Sequence, residues 1–350
     1  MLRDSFASRF VRHEIEHPGS QVDGRSCRYP FVEMLPSPME PRIDIDYGGE
    51  FGPELSTVVP YAYSLFREGK LGRVATSRDM TCFYYFCSAV EEKYASRVFL
   101  PPDRRSKLGL PNPDEHTGQL DLAQWDAPPY REVYHNDVFR WDKPTLVISN
   151  KYNLEWGGAP VNFISLTELE RMFELLVDDY KIVYNRPLPK NVTSDNSETY
   201  VLGDHDLVSK YDQIVTMQEL HLEHPEFTFN ELQLRVYANC RNFISVQGGN
   251  AVLASYFGGI NVIKVLRGEE LRRGDYRYFP MFADTTVFPC ASDVQFMRVV
   301  EAMLVRNDNQ TMGSYLALTL KVTYNIRVLG WTLARRVRDA LIPAHRNVTT

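Results

Sequence analysis

Phe243-Ile-Ser-Val-Gln-Gly-Gly-Asn-Ala-Val-Leu-Ala-Ser-Tyr-Phe-Gly-Gly-Ile-Asn-Val-Ile-Lys-Val-Leu266 reads as strand, glycine turn, short helix, glycine stop and strand. Gly248 and Gly249 let the chain turn sharply and bring backbone close to a ligand, because no Cβ intervenes. Asn250 is placed to cap the helix that follows, and the unpaired N–H groups of a first turn favour an anion above the strand end. A turn of this kind also occurs in βαβ units that bind nothing, so its meaning depends on its surroundings.

Those surroundings repeat the pattern. Upstream, Arg42-Ile-Asp-Ile-Asp-Tyr47 alternates as a strand does, and Gly48-Gly-Glu-Phe-Gly52 follows. A helical pattern then runs from Pro53 to Glu68, glycines at 69 and 72 stop it, and Arg73-Val-Ala-Thr76 forms the next strand. A second unit opens near Lys143. It has a buried-strand run, Pro144-Thr-Leu-Val-Ile-Ser149, a loop over Asn150–Trp156, and a capping box, Ser165-Leu-Thr-Glu168. The helix it starts runs to about Asp179. Lys181-Ile-Val-Tyr184 is the following strand, with Asn185-Arg-Pro187 at its carboxyl end. Gln213-Ile-Val-Thr-Met217 is another strand. Thr228-Phe-Asn-Glu231 is a second capping box, heading a helix to Asn239 that leads into the opening stretch. Helices over Ser292–Val305 and Met312–Leu341 close the chain.

Strands alternating with helices predict parallel sheets covered on both faces. The expected fold class is α/β, with two Rossmann-like domains facing each other across a cleft. The expected division is an irregular arm over 1–41, an amino-terminal domain over 42–142, a carboxyl-terminal domain over 143–310 and a closing helix over 311–350. The stretch Pro101–Tyr130, rich in Pro, Asp and Gly, reads as a long loop of the functional kind. In open α/β sheets ligands bind at strand carboxyl ends, where the strand order reverses. The loops at Gly48–Gly52, Asn150–Trp156, Asn185–Pro187 and Gln247–Asn250 all fall at such ends.

Composition narrows the classes. The chain has 350 residues, 44% hydrophobic and 24% charged, as a soluble globular protein does, and its net charge of −6 disfavours general nucleic-acid binding. The five cysteines have no zinc spacing and fit no complete disulfide set, which suits a reducing compartment. No apolar run reaches the ~18 residues of a membrane span, and Met1–Phe10 lacks the apolar core of a signal peptide. The expected location is cytoplasmic or peripheral to a membrane. Arg327, Arg335, Arg336 and Arg338 beside Leu329, Trp331 and Leu333 read as a helix packed on the core, with contact to an anionic membrane surface as the alternative.

The layout resembles GT-B-type glycosyltransferases over about Arg42 to Arg306. Tyr47-Gly-Gly-Glu-Phe-Gly52 before a helix is similar to the first glycine loop of fucosyltransferase-like enzymes. Val246-Gln-Gly-Gly-Asn250 with Val262-Ile-Lys-Val-Leu-Arg-Gly-Glu269 is similar to the glycine turn, helix, strand and acidic residue of several such transferases. The G-x-G-x-x-G fingerprint of nicotinamide-binding proteins is absent at both loops. The resemblance implies a GDP-, UDP- or dTDP-linked sugar as co-substrate, held mainly by the second domain. It implies a glycan or other hydroxyl acceptor, and no separate cofactor or metal. The transferred group would be a hexosyl, deoxyhexosyl or pentosyl unit.

A departing diphosphate builds negative charge that N–H groups and cations stabilise. Gln247, Gly248, Gly249 and Asn250 form the expected cradle, and Lys151 or Arg186 the expected cation, unless Lys151 is a plain loop charge and Arg186 pairs with Asp178 or Asp179. Glu269 or Glu270 is the expected acceptor for donor hydroxyls, since a carboxylate takes two hydrogen bonds from a diol. Inverting transfer needs a base. Glu50 is the first candidate, Glu54 the second and Asp46 the third, although acids also collect at helix starts for the dipole alone. Asp44-Ile-Asp46 and Asp204-His-Asp206 match short metal-binding patterns but read as strand alternation and a polar turn. The rival readings are a sugar-nucleotide-modifying enzyme of epimerase type and a catalytically silent binding protein.

Overall fold

The computed structural model describes residues 41–100, 124–154, 158–194 and 198–305. The expected arm over 1–41 lies outside them except for its last residue, the expected loop over 101–130 except for its end, and the expected closing helix over 311–350 entirely.

Among the described residues nine strands form two sheets, both wholly parallel. The small sheet holds β1 (Ile43–Asp46), β2 (Leu71–Ser77) and β3 (Val90–Tyr94) in the order β1-β2-β3. One continuous helical run joins β1 to β2. It begins with α1 (Phe51–Pro53), widens into a π-turn over Glu54–Val58, and continues as α2 (Val59–Arg67). π-turns inside helices gather at functional sites, and this one begins at Glu54. A short helix, α3 (Tyr130–Tyr134), leads to the large sheet. Its tyrosines donate to Phe83 O and Cys82 O of the amino-terminal half, while Arg131 donates to Phe257 O and Cys240 O of the other.

The large sheet contains β4 (Thr145–Ser149), β5 (Lys181–Asn185), β6 (Ile214–Thr216), β7 (Asn242–Val246), β8 (Ile260–Lys264) and β9 (Thr286–Cys290). Their spatial order is β6-β5-β4-β7-β8-β9. Counted from β4 this is 3-2-1-4-5-6, the Rossmann order, and its switch point lies between β4 and β7. The connecting helices are α4 (Leu166–Leu176), α5 (Asp204–Val208), α6 (Met217–Glu223), α7 (Phe229–Ala238), α8 (Gly249–Ser255), α9 (Glu270–Arg273), α10 (Pro280–Ala283) and α11 (Asp293–Leu304).

Alternation along the strands divides the core. Leu146, Ile148, Ile182, Tyr184, Ile244 and Val262 pack with Leu169, Phe173, Phe296 and Val300 of α4 and α11. Val147, Val183, Phe243 and Ile263 face the other way, into a cluster with α7 and α8 that also takes in Ile45, Leu55, Val74 and Phe83 of the amino-terminal half. One hydrophobic core therefore joins the small sheet to the back of the large one. The strands of the small sheet all fall before residue 142 and those of the large sheet after residue 143, and the small sheet has three described strands rather than a full doubly wound set.

Helix starts follow local chemistry. Ser165 and Glu168 close the expected box, with each side chain bonded to the other's backbone N–H. Thr228 accepts from Glu231 N at 3.3 Å as the cap of α7. A full box at Thr216 and Glu219 starts α6, a helix the sequence reading passed over. It missed β3 and β9 as well. β3 is Val-Glu-Glu-Lys-Tyr, too charged to read as buried, and β9 contains Pro289, which an edge strand tolerates because one of its N–H rows has no partner. Cys82, Cys87, Cys240 and Cys290 are free thiols. Among the described residues, no helix is long and apolar enough to cross a membrane.

Candidate functional site

A cleft of about 870 Å³ opens at the carboxyl edge of the large sheet, between it and the α1 region. Its lining includes Glu50, Lys151, Gln247, Gly248, Gly249, Asn250, Glu269 and Glu270, so eight of the eleven candidate residues meet there.

The turn after β7 has the glycine geometry its sequence implies. Gly248 sits at φ +125°, ψ −163°, a conformation closed to residues with a side chain. The N–H groups of Ala251 and Val252 both close on Gly248 O, at 3.0 and 3.3 Å. Asn250 lies within α8 rather than capping it; Gly248 is the cap, without a side-chain bond. Gly249 has a different reason for being glycine. A Cβ there would lie 2.5 Å from Phe51 Cδ1 and 3.3 Å from Gly52 N. Conversely, a Cβ on Gly52 would come within 3.5 Å of Gly249 N. The two glycine loops, about 200 residues apart in sequence, are thus packed backbone to backbone.

Lys151 stands over this turn. Its Nζ is 3.6 Å from where a Gly248 Cβ would be. Its backbone is fixed by Asn150, whose Oδ1 accepts from Lys151 N and Ile164 N, both at 2.9 Å, and whose Nδ2 donates to Ile164 O and Tyr184 OH. Asn150 is fully buried, so the switch-point loop is anchored from beneath.

Arg186 is corrected. Its guanidinium is 4% exposed and grips Asp204 with two bonds, Nε at 2.5 Å and Nη2 at 2.7 Å, instead of reaching the cleft. Asp204 also accepts from Tyr184 OH at 2.5 Å, which places this pair behind the anchor under Lys151. Burial pushes the Asp204 carboxyl up, but its bonds to Arg186 and Tyr184 outweigh that and hold it below its ordinary value of 3.8. A depressed folded-state pKa gives stability that is present above the ordinary value and lost as pH falls through the depressed one. Arg186→Met should therefore cost stability, on the order of 3 kcal/mol, by stranding a buried carboxylate. Urea unfolding at neutral pH measures this loss. Arg186 does not line the cleft, so the loss should fall on stability rather than on the shape of the cleft.

Glu54 is the second correction. It is fully buried, accepting from Thr76 Oγ1 at 2.5 Å, Tyr84 OH at 3.0 Å and Arg97 Nη1 at 2.5 Å. A carboxylate so enclosed cannot meet an acceptor hydroxyl. Asp46 is set aside as well, since it pairs on the sheet surface with Lys93 at 2.6 Å and with Tyr94 OH. Burial raises the Asp46 carboxyl, and its bonds to Lys93 and Tyr94 together with the nearby positive charges outweigh that and bring it below its ordinary value. Asp44 accepts from Arg73 N at 2.8 Å, so both acids of the Asp44–Asp46 triplet are held within the small sheet, one from β2 and one from β3. Glu50 is the base candidate that lines the cleft, at the amino-terminal cap position of α1 and two residues before Gly52.

Glu269 and Glu270 part company. Glu269 is 57% exposed in its side chain and pairs with Arg272 at the rim. Glu270 turns inward. Leu266 N and Arg267 N fix the Asn162 carbonyl, whose amide then donates to Gln247 Oε1 at 3.0 Å, and Gln247 Nε2 in turn donates to Glu270 Oε1. Each amide is oriented by the one before it, and the relay leaves Glu270 Oε2 buried without a hydrogen-bond partner among the described residues. Glu270 thus keeps one oxygen buried and unpaired at the cleft wall, while Glu269 stands at the exposed rim. Asp275, absent from the sequence reading, also lines the cleft, held by Arg273 Nη2 at 2.8 Å. Burial pushes its carboxyl above the usual value against the pull of Arg273. No local pattern marks Asp275 or Arg97, because Asp275 opens a single 3₁₀ turn and Arg97 lies in a loop, neither with a motif.

The class defined by fold and site is an α/β protein with a Rossmann-order parallel sheet and a polar cleft at its switch point. No protein-family model matches the chain, and no curated protein matches it. One solved structure to which it is similar is that of the E. coli ADP-heptose lps heptosyltransferase II, at 10% identity and a TM-score of 0.49, covering 74% of this chain and 96% of that one. A likeness at that level leaves activity to be argued from this chain's own residues.

Proposed function

We propose that this chain is a glycosyltransferase that moves a sugar from a nucleotide-sugar donor to a glycan or other hydroxyl acceptor, with inversion and without an obligatory metal. The observation that carries this reading is the meeting of the two glycine loops beneath Lys151. A turn free of side chains, an ammonium above it and acids on either side suit a diphosphate joined to a polyol.

On this reading the 143–310 part holds the donor and the 42–142 part the acceptor. The N–H groups around Gly248–Asn250 and the Lys151 ammonium take up the charge that develops on the diphosphate as its bond to the anomeric carbon breaks. The acceptor oxygen attacks that carbon from the opposite face. Glu50 accepts the hydroxyl proton, and the nucleoside diphosphate leaves with the bonding electron pair. Glu270, oriented by Gln247, accepts hydrogen bonds from donor hydroxyls. GDP-, UDP- and dTDP-linked hexoses, deoxyhexoses and pentoses are the donor classes to test.

Transfer and hydrolysis assays over a panel of such donors, with the product anomer read by NMR, test the proposal. Turnover of at least one donor with inverted configuration is expected. Retained configuration would remove the need for Glu50 as a base, and no turnover with any donor would refute the transferase reading.

A further inference from the structure

We infer that the buried Arg97–Glu54 pair is a positioning device for the loop that carries Glu50, so that Arg97 acts on turnover through Glu50. The inference rests on the transferase reading for its kinetic consequence, but its structural half stands on geometry alone.

Arg97 is 3% exposed and Glu54 fully buried. The guanidinium meets the first glycine loop in two ways. Nη1 donates to Gly49 O at 2.8 Å, next to Glu50, and Cζ lies 5.3 Å from the centre of the Phe51 ring, immediately after Glu50. The backbone adds a third hold, Val98 N to Gly48 O at 3.0 Å. Glu54 supplies the counter-charge that lets an arginine remain there, and is itself fixed by Thr76 and Tyr84 from β2 and the turn beyond it. Arg97 N donates to Ser194 O at 2.7 Å, which ties the same residue to a loop following β5 of the large sheet.

The loop has little other freedom. A Cβ at Gly48 would meet the Tyr94 ring at 2.9 Å, and one at Gly49 would meet Tyr47 Cζ at 2.5 Å. Phe51 is the ring against which Gly249 packs. One guanidinium therefore fixes the residues on both sides of Glu50, and the second of them forms the seam with the glycine turn. A forked, planar group suits this task, since it donates in one plane and stacks with its face; a lysine ammonium does only the first.

The test uses the full chain. Arg97→Lys keeps the charge against Glu54 and loses the stacked fork. Arg97→Gln combined with Glu54→Gln removes both charges without stranding either, and guards against a variant that fails to fold. Amide hydrogen exchange over residues 48–52 should rise about tenfold or more in Arg97→Lys, with exchange in β4 and β7 unchanged. With a donor that the wild type turns over, kcat should fall on the order of 100-fold while the donor KM stays within about threefold. In a Glu50→Gln background, Arg97→Lys should cost less than about twofold more, because the two residues act as one unit. A merely structural role would instead multiply the two losses. Unchanged exchange over 48–52, or multiplying losses, would overturn the inference. The exchange measurement decides the positioning claim even if no donor is turned over, an outcome that would separately refute the transferase reading.

Discussion

Gly249→Val should raise the dissociation constant for a nucleoside diphosphate by about 100-fold or more, equivalent to roughly 2.7 kcal/mol. A valine Cβ at this position would sit 2.5 Å from Phe51 Cδ1 and 3.3 Å from Gly52 N. Phe51 has little room to retreat, because its ring packs edge-on against Phe83 with centroids 5.7 Å apart, and Phe83 is fully buried. The remaining adjustment is a shift of α8, which carries the N–H groups of the cradle away from Lys151. Gly52→Ala is the matched control, since a Cβ there meets nothing closer than 3.5 Å, and its affinity should change by less than about threefold. Titration calorimetry on both variants, with circular dichroism to show that α/β content is kept, separates loss of the cradle from loss of the fold.

Glu50→Gln should lower kcat by about 10²- to 10⁴-fold, the range that a positioned general base contributes, with donor affinity within about threefold. Glutamine preserves the shape of the side chain but cannot accept a proton at neutral pH. Glu54→Gln is not equivalent. It weakens a buried charge pair, so its first effect is on stability and on the order of the loop above it. Steady-state kinetics with donor and acceptor varied separately distinguish these cases. Full turnover by Glu50→Gln with intact donor binding would remove Glu50 from the mechanism.

The strongly periodic parts of the chain were legible from sequence. Buried strand runs such as Thr145–Ser149 and Asn242–Val246, with the capping box at Ser165, set the large sheet and the loops at its carboxyl edge. The sharp turn at Gly248 was legible from its paired glycines after a buried strand, since glycine adopts the positive φ found there without a steric penalty. What sequence could not give was the pairing of charges. Arg186 and Lys151 both follow a strand of the same sheet. One turns inward to Asp204, on a helix that begins 18 residues later, and the other stays over the glycine turn. Glu50 and Glu54 are one helical turn apart, and the burial of the second depends on Arg97, more than 40 residues away. The Glu269 and Glu270 pair was divided by Asn162, which orients Gln247 from across the switch point. In each case the deciding contact is distant in sequence, and no local pattern encodes it.

Crystals soaked with the nucleotide sugar, or with its nucleoside diphosphate, test the central claim most directly. The account predicts a diphosphate lying over Gly248–Asn250 with an oxygen in hydrogen-bond reach of Lys151 Nζ, and the sugar directed toward Glu50. A nucleotide bound away from this turn, or with its base rather than its phosphates over Gly248, would contradict it.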